Sequence, residues 1–393
     1  MGDYSEKEVV VENDFQGEQV FVIASGHFVH DVYSAFLAPL LPLIRERLAL
    51  SLTMAGFLTA AMQLPAILNP VVGHYADKFK PRRLVVWAPA ITATLMSVIG
   101  LPTNYYVLAA IIFLAGISVV FFHAPAPAMV ARSSGSRIGK GMGWFMAGGE
   151  LGRTVGPLVA VWAASFWGLE GIYRVAVIGW LTSLVLFWRL EESPAQKRSL
   201  GSLESIKPKL RSLILPLAFI IFFRMFLAVS MTTYLPTYMD IKGASLWKAG
   251  GFLAIMEFAG VAGALLSGSM SDRLGRKSIL LWVAIVSSPL MLGFIFAPQW
   301  LSIPILLLLG FFSLSTGPIF LAIMQDHFPQ NRALGNGIYL TISSLLRSLV
   351  MVLVGVAGDA LGLHTAFVAS ALIALLSIPA ILRLPAEPQG KLA

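Results

Sequence analysis

Apolar stretches of about 20 residues recur along the whole of this 393-residue chain, each long enough to cross a ~30 Å hydrocarbon core as a helix. They fall at 20–44, 53–76, 84–103, 106–131, 140–166 and 172–190, and again at 213–238, 248–270, 278–297, 301–325, 335–358 and 364–384. A soluble fold cannot absorb this pattern. Hydrophobic residues make up 57% of the chain and charged residues 12%, with a mean hydropathy of +0.79. A soluble domain carries roughly 25% charged residues to keep its surface wetted. The expectation is an all-α membrane protein of about twelve transmembrane helices.

The longest polar interruption, Glu191 to Lys209, lies near mid-chain and reads as a linker. The predicted organisation is a cytoplasmic tail at 1–18, a six-helix bundle at 19–190, a cytoplasmic linker at 191–211, a second six-helix bundle at 212–386 and a tail at 387–393. The first tail is acidic and polar, with no positive region ahead of an apolar core, so it is not read as a signal peptide.

Basic residues set the orientation. Loops on one side hold Lys78, Lys80, Arg82 and Arg83, then Arg132, Arg137 and Lys140, then the linker, then Arg273, Arg276 and Lys277. The other side has only Arg45, Arg47, Arg174, Lys242 and Lys248. Both termini are therefore expected in the cytoplasm, with the chain in the cell (inner) membrane. The net charge of +8 belongs to these loops and not to a nucleic-acid groove. The chain has no cysteine, no Walker-type G-x-x-x-x-G-K-[ST] loop and no H-E-x-x-H pair, so neither an enzyme, nor a metal, nor an organic cofactor is implied.

The chain also repeats itself. GHYADKFKPRR (Gly73 to Arg83) follows span 2 and GSMSDRLGRK (Gly268 to Lys277) follows span 8, with Asp77 and Asp272 offset by 272 − 77 = 195. Gly139-Lys140-Gly141 before span 5 matches Gly335-Asn336-Gly337 before span 11, at 335 − 139 = 196. Two pairs at nearly one offset argue for duplicated halves. These loops resemble G-x-x-[AS]-D-[RK]-x-G-[RK]-[RK], the signature of the major facilitator superfamily. The resemblance implies two six-helix pseudo-repeats with a gating loop built from Gly73, Asp77, Lys78 and Arg82 and from Gly268, Asp272, Arg273 and Arg276. The first copy departs in having Lys80 where the pattern has Gly.

Span 5 carries Gly148, Gly152, Gly156 and Pro157, which resembles the G-x-x-x-G-P motif of the antiporter branches, with Ala160-Val161 replacing the usual trailing glycines. The glycines share one helix face and are expected to pack tightly against a helix of the other half. Within the superfamily, GHFVHDVYSAFLAPLLPLIRERLALS, QLPAILNPVVGHYADK, FFHAPAPAMVAR and GGELGRTVGPLV resemble the fosmidomycin-resistance group of efflux proteins, and MQDHFPQNRALGNG adds weaker support. Departures are Ala124-Pro125 after His123, where that group has Pro and then an acidic residue, and the charges at Glu150 and Arg153. Ile112 also stands where many proton-driven members have an Arg in span 4.

An ionisable residue deep in a span costs roughly 2.5–3.5 kcal/mol and normally faces a cavity or a partner. Asp31, His27, His30, Glu150 and Glu257 are the proton-coupling candidates. His27 and Asp31 share a helix face at i, i+4, where a carboxylate beside imidazoles can hold a proton near neutral pH; the alternative is a structural hydrogen bond. Glu150 and Arg153 can pair at i, i+3. Arg153, Arg224 and Arg347 suit an anionic ligand, since guanidinium matches carboxylate and phosphonate geometry. His123, Tyr234 and Tyr238 complete the substrate-binding candidates. The expected function is proton-driven antiport exporting a small anionic or amphipathic organic compound, by a monomer that alternates access across the bilayer. The alternatives are an uptake symporter or facilitator for an organic acid or sugar and, outside transport, a membrane receptor or regulator.

Overall fold

A computed structural model describes residues 15–69, 71–72, 81–135, 137–192, 207–328 and 332–385. Gly73, Asp77, Lys78 and Lys80 of the first loop, most of the central linker and most of both tails lie outside the described residues. Those described are helical, with no strand among them. In hydrocarbon a backbone must satisfy its own hydrogen bonds, and a helix does so within one segment.

Twelve rods result. They are α1 (Gly17–Leu48, broken at Ala35 and Phe36), α2 (Leu52–Leu68), α3 (Pro81–Ser97), α4 (Tyr105–Ser133), α5 (Ile138–Gly171) and α6 (Ala176–Arg189). The second set is α7 (Leu210–Ile241), α8 (Leu246–Leu274), α9 (Arg276–Phe296), α10 (Gln299–His327), α11 (Arg332–Leu361) and α12 (Leu363–Leu382). Large apolar side chains such as Trp87, Phe166, Trp188, Phe219, Phe258 and Trp282 point outward, the arrangement a lipid solvent requires.

The duplication is visible in the packing. Within the first set α1 lies on α5, α3 on α4 and α6, and α2 on α4; in the second, α7 lies on α11 and α12, α9 on α10 and α12, and α8 on α10. A Cβ placed on Gly116 of α4 would stand 2.3 Å from the Met62 carbonyl of α2, and one on Gly310 of α10 would stand 2.1 Å from the Met256 carbonyl of α8. Both members repeat at one offset (310 − 116 and 256 − 62, each 194), so the same close crossing was copied with the sequence. Basic residues of the two signature loops are matched as well. Arg82 Nε donates to the Leu190 carbonyl just past α6 at 2.6 Å, and Lys277 Nζ donates to Leu382 at the end of α12 at 2.6 Å. Each cation meets the negative end of a helix dipole.

In the second loop Gly275 takes φ 88, the left-handed turn that separates α8 from α9. Asp272 pairs with Arg276 at 2.5 Å, and Arg276 reaches Asp326 of α10 at 3.4 Å.

The two sets meet along α2–α11 and α5–α8, with the end of α1 against the end of α7. At the face opposite the termini this seam is tight. The Asp359 carboxylate of α11 accepts from the backbone N–H groups of Leu52 and Thr53, both at 2.8 Å, and so caps the N-terminus of α2 from the other half. Tyr234 Oη of α7 donates to the Met351 carbonyl at 2.7 Å and lies 3.3 Å from that of Leu52. Gly56 and Gly355 let the backbones touch: a Cβ on either would stand 2.6 or 2.4 Å from the carbonyl of Met351 or Leu52. Near the termini, a Cβ on Gly139, Gly143 or Gly337 would meet nothing within 4 Å among the described residues.

Losing a helix cap costs about 1–2 kcal/mol, roughly fivefold to thirtyfold in an equilibrium. Asp359→Ala is therefore expected to raise the labelling rate of a Val352→Cys reporter in the α2–α11 seam by about that factor, read with a membrane-impermeant maleimide. The cysteine-free chain provides a background without other reactive thiols. An unchanged rate would remove Asp359 from the role of latch.

Candidate functional site

The ionisable groups inside the rods converge from both halves. Asp31 of α1, His123 of α4, Glu150 and Arg153 of α5, and Glu257 of α8 make one connected cluster near the midpoints of their helices. Asp31 is 3% exposed, and three cationic or cationisable groups face it. His27 Nε2 stands 3.4 Å from Oδ2, His123 Nε2 stands 3.1 Å from Oδ1, and Arg153 Nη1 stands 3.9 Å from Oδ2.

Arg153 is the hub. Besides Asp31 it contacts Glu150 one turn earlier and lies 4.0 Å from Glu257 across the seam. It thus faces three carboxylates, two from its own half and one from the other, which is how a guanidinium is tolerated at this depth. Its side chain is 43% exposed while Asp31 is sealed, so water reaches the arginine side of the cluster.

Local packing sets these positions. Gly148, Gly152 and Gly156 place the α5 backbone directly on α1, where a Cβ would stand 2.4, 2.4 and 2.5 Å from the carbonyls of Ala24, Phe28 and Val32. The expected partner, a helix of the other half, is corrected: the glycine face lies on α1 of its own half. Periodicity identifies a close-packing face, but not what occupies it. The cross-half contact of α5 uses Pro157 and Val161 against Gly250 of α8 instead.

Gly149 leaves room for His27, whose ring stacks on Phe145 at 4.0 Å and on Phe122 at 5.5 Å. His27 Nδ1 donates to the Phe145 carbonyl at 2.7 Å. His30 is buried and stacks on Phe122, 5.5 Å from the His123 ring.

The second half contributes two arginines. Arg224 of α7 is buried; its Nη2 makes one long bond, 3.4 Å, to the Ser313 carbonyl, and it has no ion pair among the described residues. Arg347 of α11 donates through Nη2 to Thr232 Oγ1 at 2.9 Å and feels the Glu257 carboxylate electrostatically. Thr232 sits in a π-helical turn, Ser230–Tyr234, a widening of α7 common at functional positions.

Tyr234 and Tyr238, which the sequence reading sets on the ligand side, lie in the sealed layer. Tyr234 bridges the halves, and Tyr238 stacks on Phe367 at 4.4 Å and bonds His364. Sequence reasoning passed over Asp359, Gly56 and Gly355. A lone Asp at the end of an apolar run carries no pattern of its own, although the small residues opposite one another in spans 2 and 11 were a usable signal.

Overpacking a filled site costs about 1–3 kcal/mol. A Cβ on Gly149 would stand 2.4 Å from the His27 ring, so Gly149→Ala is expected to lower the thermal unfolding temperature of the purified protein. Gly143→Ala, in open space on the same helix, should leave it unchanged. Equal melting of the two variants would show that His27 is loosely held.

Comparison with known proteins agrees with this architecture. The chain is 23% identical to the uncharacterized MFS-type transporter YfnC of Bacillus subtilis over 94% of this chain and 93% of that one. It is also 23% identical to the fosmidomycin resistance protein of Escherichia coli, over 91% and 90% of the two chains. Among solved structures, a bacterial homologue of the human lysosomal transporter Spinster, inward-facing and unoccupied, superposes with a TM-score of 0.78 at 15% identity, covering 94% of this chain and 98% of that one. A D-xylose-proton symporter superposes at 0.76 with 17% identity, covering 95% and 99%. The family model described as Major Facilitator Superfamily matches residues 23–351, and the chain, a multi-pass membrane transporter and not an enzyme, belongs to that superfamily.

Proposed function

We propose that this transporter exports a small anionic or amphipathic organic compound in exchange for protons. The observation that carries the reading is the Arg153 hub, one guanidinium facing Asp31, Glu150 and Glu257 in a water-accessible cluster that spans both halves. A proton arriving at one of these carboxylates removes a negative partner and frees Arg153 for an anion. An anion bound to Arg153 in turn weakens its hold on Glu257 and so the tie between the halves. Arg347 extends the positive surface on the other side, with the buried Arg224 behind it on α7 as a further positive charge without an ion pair among the described residues.

On this reading the two bundles are joined by the linker at 191–211, both termini lie in the cytoplasm, and the chain works as a monomer in the cell membrane. The seal at Asp359, Tyr234 and Gly355 then lies on the outer face, and the substrate site is open to the cytoplasm, as loading for export requires. Similarity to a fosmidomycin resistance protein supports the export direction.

Inverted vesicles test the direction. An exported anion should move inward while the lumen becomes more alkaline; inward movement in the same direction as protons, or without any proton movement, would sink the antiport reading. Hydrogen bonds to charged groups are worth about 1.5–3 kcal/mol each. Arg347→Ala is therefore expected to weaken binding of an anionic substrate by roughly tenfold to a hundredfold while sparing a neutral one, and equal losses for both would remove Arg347 from anion recognition.

A further inference from the structure

Two acceptors face one another at the sealed side of the cluster. His27 Nδ1 must carry a proton, because the Phe145 carbonyl at 2.7 Å can only accept. In the neutral ring Nε2 is then a lone pair. That atom is buried, has no hydrogen-bond donor among the described residues and looks at Asp31 Oδ2 from 3.4 Å. A lone pair against a carboxylate at 3–4% exposure calls for a positive charge between them. His123 Nε2 lies on the other carboxylate oxygen at 3.1 Å, and the donor atoms of His27, Asp31 and His123 all lie within 4.8 Å of one another. Zinc takes N and O ligands at ~2.0–2.2 Å in a tetrahedron, which sets neighbouring ligand atoms about 3.3–3.6 Å apart. The contacts on the two Asp31 oxygens, 3.4 and 3.1 Å, lie near that edge, and pairs as wide as 4.8 Å close up to it by side-chain rotation.

We infer that His27, Asp31 and His123 form a binding site for a divalent transition-metal ion of the zinc, cobalt or nickel kind. Two imidazoles and one carboxylate favour these ions over magnesium or calcium, which prefer oxygen. The backbone carbonyl behind His27 supplies the outer partner that fixes a metal-binding tautomer, and the rings of Phe122 and Phe145 hold its plane. His123, 32% exposed, is the entry side and leaves a fourth position towards the cavity. Arg153, 3.9 Å from Asp31, competes as the resident cation and has Glu150 and Glu257 to retreat to. Metal uptake displaces the proton from His123 Nε2 to solvent or to Nδ1. The inference deepens the proposed reading, in which Asp31 exchanges positive partners, but does not require proton-driven transport to be true.

Cobalt(II) chloride added to the purified full-length protein, without substrate or pH gradient, provides the test. The expected result is one equivalent bound, with the visible absorption of a low-coordinate cobalt site, displaced by zinc. Asp31→Asn and His123→Gln should each weaken it at least tenfold, and His364→Gln, at the sealed end, should not. Absence of binding below about 1 mM, or one equivalent bound equally well by the Asp31→Asn/His123→Gln double variant, would overturn the site. Should the variants fail to fold, X-ray absorption on the wild-type cobalt complex decides: a first shell with two imidazoles supports the assignment and a shell without them refutes it. Failure of proton-coupled transport with intact cobalt binding would overturn only the functional reading.

Discussion

Charge is expensive in hydrocarbon, and that cost organises the interior of this protein. Apart from groups at helix ends and Arg224, which lies apart from the others against the Ser313 carbonyl, the ionised side chains described within the rods come from α1, α4, α5, α8 and α11 and meet near the middle of the bundle. None could be stable alone facing lipid tails. Arg153 gains three carboxylates, Asp31 gains the His123 imidazole and a guanidinium, and Arg347 gains a threonine hydroxyl and the field of Glu257. The cluster is thus a consequence of solvation as much as of function. It is also why a change of partner at one carboxylate is felt by both halves.

Small residues make that convergence possible. Helices carrying large side chains stand 8–10 Å apart, too far for the short Asp31 side chain to reach groups on α5. Gly148, Gly152 and Gly156 bring the backbones of α5 and α1 together, and Gly149 makes the slot that His27 fills. The glycine face once expected to join the two halves instead fixes the α1–α5 unit as a rigid carrier of Asp31, His27, Glu150 and Arg153. What joins the halves at α5 is gentler, Pro157 and Val161 against Gly250, together with one ion pair at 4.0 Å. A rigid unit in each half, meeting along a smooth seam of small and apolar residues, is the arrangement that rocking of halves uses.

Much of this was legible in the sequence because the bilayer reduces the choices. Runs of about 20 apolar residues, a loop motif repeated at an offset of 195 and a basic bias on one side dictate twelve crossings in two matching sets. The connection of His27 to Asp31 was readable from i, i+4 spacing. That of His123 to Asp31, 92 positions away, was not, because it depends on how α4 leans on α1. Tyr234 and Tyr238 were misplaced for a related reason: their mixed character is shared by ligand-facing and seam-facing positions, and only the Met351 and His364 partners tell them apart. Helix α3 ends at Ser97, short of the expected 103, because Gly100 and Pro102 interrupt an apolar run that hydropathy alone reads as continuous.

The two ends of the seam differ in how their charges are satisfied. At the sealed face, Asp359 is satisfied only by reaching across to the N-terminus of α2, so separating the halves there exposes two backbone donors and one carboxylate together. At the end near the termini, Asp272 is satisfied within its own half by Arg276, which also holds Asp326. The far face is thus tied across the seam by a carboxylate on a helix N-terminus, whereas the Asp272–Arg276 pair lies within one half. A carboxylate facing a helix N-terminus across the seam is favourable, so opening the far face has to offset the loss of that cap.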